Sequence, residues 1–523
     1  MRPHFASLLL LLVSSPVLAD PPAGFAKRVE ALRATAGIPG LGIAIVENGR
    51  PTFVRGFGVR QLGMPGAVDA DTIFAIGSTT KAMTAAALAT LVDAGKIGWD
   101  DRVIDYLPGF QMYDPWVTRE MRVRDLLVHR SGLGYGAGDL LFVPRSTLSR
   151  AETVRRIRFI KPSSSFRSEF AYSNLMYVVA GQLVEAVSGQ TWEDYLRQHI
   201  FAPAGMNHAT SDNGRRFATL DRAYPHARMD GGLRGLGHQE RLDEQDDLGR
   251  NAAPAGGVAA SPNDLAAWIE VELNGGLAAS GTRVFSNSAR DEMWKPVIVQ
   301  PIIAGPEALR ATQPSFSSYA LGWDVEDYHG TKFLWHGGAV LGFKSAVVLI
   351  PSKNIGFAIQ INSEEGEVIR GLIFELLDHY LGLPKGDWPA AITAVRQGKL
   401  HDGLMLQQAA LARPAGAPPS VPLDRFVGTY RDPWYGDVVV ARDKAGLTID
   451  FRSTPRMSGR LRPYRYNSFV TDLTDKSIEP ATVNFALDSE GKVERMTMQA
   501  LSPVADFSWD YRDLDFRPVE MTK

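Results

Sequence analysis

Ile73-Phe74-Ala75-Ile76-Gly77-Ser78-Thr79-Thr80-Lys81 runs from an apolar strand-like segment, through a glycine, into an alanine-rich stretch from Lys81 to Val92 that closes at Gly95. That glycine stands where a helix C-cap is expected, so the pattern predicts a helix opening at the serine. Ser78 and Lys81 then share one helical face, with the amine one turn from the hydroxyl. A serine hydroxyl is a weak nucleophile at neutral pH and needs a base within hydrogen-bond reach. A lysine held in a dry cleft among other donors loses enough basicity to serve as that base. The tetrapeptide by itself is a weak signal, because Ser489-Glu490-Gly491-Lys492 repeats it in a turn between two strand-like runs. The ordinary reading of the first copy, a capping serine and a surface lysine, is outweighed by two partners further along the chain.

The first partner is Tyr172-Ser173-Asn174, the only Tyr-x-Asn in the chain, placed just before a helical segment from Leu175 to Val187. A tyrosine beside an activated lysine shares its proton and delivers it to a leaving group, and an asparagine amide holds both the lysine and a substrate carbonyl. A core tyrosine and an N-cap asparagine are the bland roles, and both are compatible with the chemical ones. The second partner is His336-Gly337-Gly338, between the strand-like Lys332–Trp335 and Phe343–Ile350. Glycines at the edge of a cleft let a substrate backbone approach the strand closely. His336 is read as lining the site, with a proton relay as its further role and a structural histidine as the alternative.

Ser-x-x-Lys, Tyr-x-Asn and His-x-Gly, in that order on helix, loop and strand, resemble the penicillin-recognising serine hydrolases. Leu126-Leu127-Val128-His129-Arg130-Ser131-Gly132-Leu133, Gly256-Gly257-Val258 with Ser261-Pro262, and Tyr319-Ala320-Leu321-Gly322-Trp323 extend the likeness to the class C β-lactamase-like branch, over about residues 24 to 385. That branch includes β-lactamases, D-Ala-D-Ala carboxypeptidases, D-aminopeptidases, esterases and a periplasmic peptidase that cleaves linearised microcystin. The resemblance therefore fixes a chemistry better than a substrate. It implies that Ser78, Lys81, Tyr172 and His336 are catalytic and that Asn174, Gly337, Gly338 and Ala339 bind substrate. The backbone amides of Ser78 and Ala339 would hold the oxyanion.

Met1 to Ala19 reads as a secretory signal, with Arg2, an apolar stretch from Leu8 to Val13, Pro16, and Val17-Leu18-Ala19 before Asp20. That apolar run is far shorter than the roughly 20 residues of a membrane span. There is no cysteine, which excludes disulfides, thiol nucleophiles, thiolate zinc sites and a lipid anchor on cysteine. The expected location is the bacterial periplasm or the medium. A net charge of −2 without a basic block makes nucleic acid an improbable partner. No His-Glu-x-x-His and no Gly-x-Ser-x-Gly occurs, so neither a metal nor an α/β-hydrolase elbow has support, and no cofactor is implied.

The fold expected is α+β: a β-lactamase-like antiparallel sheet with a helical subdomain over 20–385, and an all-β, barrel-like (lipocalin-like) domain over 423–523. Residues 386–422 read as a helical segment and a Pro-rich linker, Arg413 to Ser420. The glycine-rich stretch from about Asn213 to Gly257, with its acidic group Asp243-Glu244-Gln245-Asp246-Asp247, reads as a solvated loop. His129 reads as a structural hydrogen-bonding residue. Gly337 departs from the threonine usual in the family's carboxypeptidases and β-lactamases, whose hydroxyl helps bind a substrate carboxylate. Action on amide bonds of small peptides, including D-residue-containing or non-ribosomal ones, therefore leads. An esterase or a β-lactamase of the same fold is the alternative, and a penicillin-receptor-like binding protein that acylates once is the alternative from another class.

Overall fold

The computed structural model describes residues 21–246, 248–412 and 418–519; the expected signal segment, Asp247 and most of the Arg413–Ser420 linker lie outside the described residues. Eight strands form one antiparallel sheet: β1 (Gly40–Glu47), β2 (Arg50–Gly58), β3 (Ile298–Val299), β4 (Ser317–Tyr319), β5 (Asp324–Tyr328), β6 (Thr331–Val340), β7 (Phe343–Ile350) and β8 (Ile355–Ile361). Their order is β2-β1-β8-β7-β6-β5-β4-β3. β1 and β2 turn at Asn48-Gly49, both with positive φ (51° and 72°), the backbone that a tight hairpin demands and that Asn-Gly supplies. The sequence also suggests a strand from Leu321 to Val325, and the structure corrects its start. Gly322 takes φ 86° against the backbone of Ala82, bending the chain so that pairing stops at Tyr319 and resumes at Asp324.

Helices cover both faces of the sheet. α1 (Phe25–Ala36) and, from the C-terminal side, α5 (Gly366–Leu381) and α6 (Trp388–Ala412) bury the face bearing Ile43, Ile45, Val348 and Ile359. The opposite face, with Ala44, Val347, Leu349 and Ala358, packs on α2 (Thr80–Asp93), α3 (Asn174–Ser188) and α4 (Pro262–Leu273). α2 is buried almost all round, from Thr80 to Leu91. Its run of alanines is what permits that, since a helix without a polar face and with small side chains can lie inside a core. α4 starts on a capping box in which Ser261 accepts from the Asp264 N–H and Asp264 accepts from the Ser261 N–H, with Pro262 at the first turn.

The C-terminal part closes into an eight-stranded antiparallel barrel, β9 (Gly428–Asp432), β10 (Gly436–Asp443), β11 (Gly446–Phe451), β12 (Ser458–Arg465), β13 (Ser468–Leu473), β14 (Ala481–Leu487), β15 (Val493–Ala500) and β16 (Asp515–Pro518). Six of these strands are legible as alternating runs. β12, with Arg460, Arg462, Pro463 and Arg465, is mostly solvent-facing and too polar to read as a strand. It forms because neighbours on both sides pair with it.

The 213–257 stretch is also corrected, because it is folded rather than an open loop. It holds a helix, Asn213–Ala218, capped by Asp212, and a short hairpin of His226–Arg228 with Gln239–Arg241. It is pinned by bidentate Arg222–Glu244 and Arg234–Glu364 pairs. Of the acidic group, Asp243 accepts from Arg456 of the barrel.

Candidate active site

Ser78 sits on a single 3-10 turn, Gly77–Thr79, that feeds directly into α2. This turn is pressed against the end of β6. A Cβ at Gly77 would lie 2.5 Å from the Ala339 nitrogen, and one at Gly338 would lie 1.9 Å from the Ile76 oxygen. Only hydrogen fits at either position, and the close approach brings the Ala339 backbone beside Ser78. Ile76 is fixed in turn, because its carbonyl accepts from Thr79 Oγ1 at 2.8 Å and Ser345 Oγ at 2.7 Å.

Lys81 is fully buried, yet its ammonium position is saturated with partners. Nζ lies 2.9 Å from Ser78 Oγ, 2.8 Å from Asn174 Oδ1 and 2.8 Å from the Ala255 carbonyl. Burial disfavours the charged form and brings its pKa down from 10.5 to about 7, against the opposing pull of Asp139 and Asp324. Tyr172 hydrogen-bonds Ser78, and the Lys81 amine stands 4.8 Å from the centre of its ring. Burial holds the Tyr172 phenol well above its ordinary range, so it stays protonated. The loop carrying Tyr172 is pinned by Gly136 N–H to its carbonyl and by Ala171 N–H to the His129 carbonyl.

The four residues Ser78, Lys81, Tyr172 and Asn174 thus come together from two segments. Gly337, Gly338 and Ala339 form the adjoining strand end. His336 is placed differently from the other expected site residues. Its Nδ1–H donates to the Gly337 carbonyl and its Nε2 accepts from the Tyr319 hydroxyl, both at 2.7 Å. Burial lowers its pKa to about 3. A neutral ring with both nitrogens engaged has no free site through which to pass a proton, so His336 borders the site as a support for Tyr319. His129 is buried in the same aromatic cluster, 4.2 Å from the Tyr172 ring, and accepts from the Ser173 N–H at 3.1 Å.

The structure adds residues that sequence reasoning did not single out. Asp139, on the 3-10 turn Asp139–Leu141, accepts from Asn174 Nδ2 at 2.9 Å. Its burial raises its pKa to about 7. Asp324, at the start of β5, is half-buried near Lys81 and is also raised to about 7, chiefly by its desolvation. From the barrel, Phe507 packs edge-on against Tyr135 and Tyr172, and Ser508 Oγ donates to Asp139 at 2.9 Å. The glycines of Gly134-Tyr135-Gly136-Ala137-Gly138-Asp139 are the one sequence signal that could have drawn attention to that turn. A cavity of about 870 Å³ opens from Ser78, Asn174 and Ala339, passes Lys344 and the start of α5, and is walled by α6 and by the barrel loop from Ser502 to Trp509.

With this geometry established, comparison with known proteins is informative. The sequence model of the family described as Beta-lactamase matches residues 25–379, and that of a domain of unknown function (DUF3471) matches residues 412–518. The chain is 28% identical over 434 residues to the unguisins hydrolase ungD' of Aspergillus campestris (strain IBT 28561), covering 78% of this chain and 75% of that protein. It is 29% identical over 360 residues to penicillin-binding protein 4 of Amycolatopsis lactamdurans, covering 68% and 88%. Among solved structures, the octameric penicillin-binding protein homologue from Pyrococcus abyssi superposes with a TM-score of 0.59 at 20% identity, over 92% of this chain and 98% of that one. SurE gives a TM-score of 0.54 at 20% identity, over 95% and 98%.

Proposed function

The chain belongs to the beta-lactamase family of hydrolases, and on that premise we propose that it is an exported serine hydrolase that cleaves amide bonds of small peptides through an acyl-enzyme on Ser78. The observation that carries this reading is the set of partners around Lys81. Two of them, the oxygens of Asn174 and Ala255, can only accept. A neutral amine that gives one N–H to each is left with its lone pair facing the third, the Ser78 hydroxyl. With a pKa of about 7, much of the lysine is neutral at physiological pH. Lys81 then takes the hydroxyl proton as Ser78 attacks a carbonyl, and the Ser78 and Ala339 amides hold the oxyanion.

Tyr172 supplies the opposite function. Its phenol is kept protonated beside Ser78 and passes its proton to the departing nitrogen. An amine leaves only once protonated, which is why a neutral acid at this point favours amide substrates. Asn174 Nδ2 gives one hydrogen to Asp139 and keeps the other for the substrate carbonyl. Water then releases the acyl group. The cavity, about 870 Å³ and walled by three parts of the chain, has room for a peptide that extends past the scissile bond. Relatives named as unguisins hydrolases accord with hydrolysis as the reaction. The absence of a threonine hydroxyl at Gly337 weighs against β-lactam hydrolysis and D-Ala-D-Ala trimming.

The test is direct. A fluorophosphonate should label the wild-type protein at Ser78 and leave a folded Ser78→Ala variant unlabelled; labelling that survives in the variant refutes the assignment. A panel of peptides, esters and a chromogenic β-lactam then sorts the substrate class. A single stoichiometric burst without turnover on every member would replace the hydrolase reading with that of a penicillin-receptor-like protein, as the relative named penicillin-binding protein 4 suggests. Export is tested by N-terminal sequencing of the protein from a producing bacterium, with Asp20 expected first.

A further inference from the structure

Asn174 presents a choice that the catalytic residues do not settle among themselves. Its amide has an accepting end and a donating end, and only one orientation suits Lys81, whose protonated amine can only donate. What decides the orientation lies on the far side. Asp139 Oδ2 accepts from Asn174 Nδ2 at 2.9 Å, and this leaves Oδ1 facing Lys81 at 2.8 Å.

Asp139 is itself an expensive residue to keep in this place. It is fully buried, and no arginine or lysine pairs with it among the described residues. Its Oδ1 has no hydrogen-bond partner, so everything that holds the carboxylate acts on Oδ2. There are two such contacts: Asn174 from α3, and Ser508 Oγ from the barrel at 2.9 Å. The barrel loop is anchored around this point. Asp510 Oδ2 accepts from the Gly138 N–H at 3.1 Å, Asp506 Oδ1 accepts from the Ser508 N–H at 3.0 Å, and Phe507 packs 4.6 Å from the ring of Tyr135. The turn that carries Asp139 is therefore held between α3 and a loop of the C-terminal domain.

We propose that Asp139, braced by Ser508, is a positioning residue that orients Asn174 and through it the Lys81 amine, so that the C-terminal barrel supports the general base. This rests on the reading of Ser78 and Lys81 as nucleophile and base. The groups facing Lys81 are Asp139 from its turn, Tyr172 and Asn174 at the start of α3, Tyr177 within it, Asp324 from β5, and the neutral His129 and His336. Of these only Asp139 and Asp324 are carboxyl groups, and only Asp139 reaches the amine through a hydrogen-bonded intermediary. Removing its charge while keeping an acceptor lowers the basicity of Lys81; removing the acceptor frees Asn174 to turn its NH₂ toward the lysine.

The experiment measures the rate of fluorophosphonate labelling of Ser78 in the full chain across pH, together with thermal melts. In Asp139→Asn the plateau rate should stay within about fivefold of wild type while the acid limb moves down by roughly half a pH unit. Asp139→Leu, which keeps the branching at Cγ without an acceptor, should lower the plateau by about thirtyfold or more, and Ser508→Ala by about three- to tenfold, both with cooperative melts. Equal losses in Asp139→Asn and Asp139→Leu with an unmoved limb would reduce Asp139 to a packing role and overturn the proposal. A Ser508→Ala rate equal to wild type would remove the barrel from it. Should Asp139→Leu fail to fold, the limb shift in Asp139→Asn and the Ser508→Ala rate still decide. Wild-type protein that is not labelled at Ser78 would refute the nucleophile reading and this proposal together, whereas unaffected variants of a labelled protein refute the proposal alone.

Discussion

The sharpest steric prediction concerns the glycine pair at the end of β6. At Gly338 a methyl group would stand 1.9 Å from the Ile76 oxygen and 2.3 Å from Ser345 Oγ. That carbonyl cannot swing aside, because Thr79 and Ser345 both donate to it and the Ile76 N–H is bonded to the Val258 carbonyl. In Gly338→Ala the strand must therefore retreat from the 77–79 turn by about 1 Å, enough to break hydrogen bonds that depend on placement. The Ala339 amide moves with it, away from the oxyanion. Loss of one such donor costs about 10²- to 10³-fold in kcat, or roughly 2.7–4 kcal/mol. Gly337→Ala is the control, since its methyl would meet nothing nearer than Trp335 Cζ3 at 3.4 Å. The assay is the fluorophosphonate labelling rate and turnover of an activated ester, with melting curves to show that both variants fold. Gly338→Ala labelled within threefold of wild type would refute the placing of the Ala339 amide in the oxyanion site, as would equal damage from Gly337→Ala.

Other expectations follow from the same geometry. The labelling rate of wild type should rise through a limb near pH 7 as Lys81 loses its proton, because the neutral amine is the active form; a rate flat from about pH 5.5 to 8.5 would remove Lys81 as the base. Lys81→Ala and Tyr172→Phe should each cost several orders of magnitude, and the double variant should be only slightly worse, since groups on one proton path do not contribute additively. His336 and His226 are held neutral by burial to about pH 3 and 4, while unfolded histidine protonates near 6.5. Their stability contribution is therefore complete above about 6.5 and falls as the solution is acidified, by roughly 1.4 kcal/mol per pH unit for each. His336→Gln should show a shallower fall of Tm between about pH 6.5 and 4.5 than wild type, and parallel curves would refute the neutral assignment. Finally, amidating the C-terminus of a peptide substrate should change kcat/KM by less than about tenfold, because no threonine hydroxyl stands at position 337. A hundredfold preference for the acid would show that another group, such as the cavity-lining Lys344, binds the carboxylate.

How much of this was legible in the chain depended on whether a residue's neighbours were sequence neighbours. Ser78 and Lys81 are one helical turn apart, and Tyr172 and Asn174 are two residues apart, so each pair carries its geometry with it. The α+β class and the barrel were legible for the same reason, because alternating runs and Asn48-Gly49 are local signals. Asp139 and Ser508 are separated by hundreds of residues and meet only when the barrel docks, so nothing at either position announces the other. β12 escaped because its arginines obey the rule for an exposed strand that neighbours pair on both sides, and that rule is invisible from the strand itself. The 213–257 stretch looked like a loop because of its glycines and acids. Its order comes from arginines paired with distant carboxylates, Arg234 with Glu364 and Arg456 with Asp243.

One physical cause underlies both halves of the proposed proton path. Burial pushes the Lys81 amine down and the Tyr172 phenol up, so the same dry cleft makes the base neutral and the acid neutral, with Ser78 between them. Asp139 and Asp324 pull Lys81 the other way, back toward its charged form, so burial has to outweigh them. Dryness here is supplied by two sources. α2 is enclosed by the hydrolase core, and Phe507 of the barrel, which lines the cavity, packs edge-on against Tyr172. Admitting water at that second wall would return the lysine toward 10.5, where it is protonated at neutral pH and cannot accept from Ser78. The docked barrel loop therefore bears on the proposed chemistry twice, once through the hydrogen bond of Ser508 to Asp139 and once through the packing of Phe507 on Tyr172.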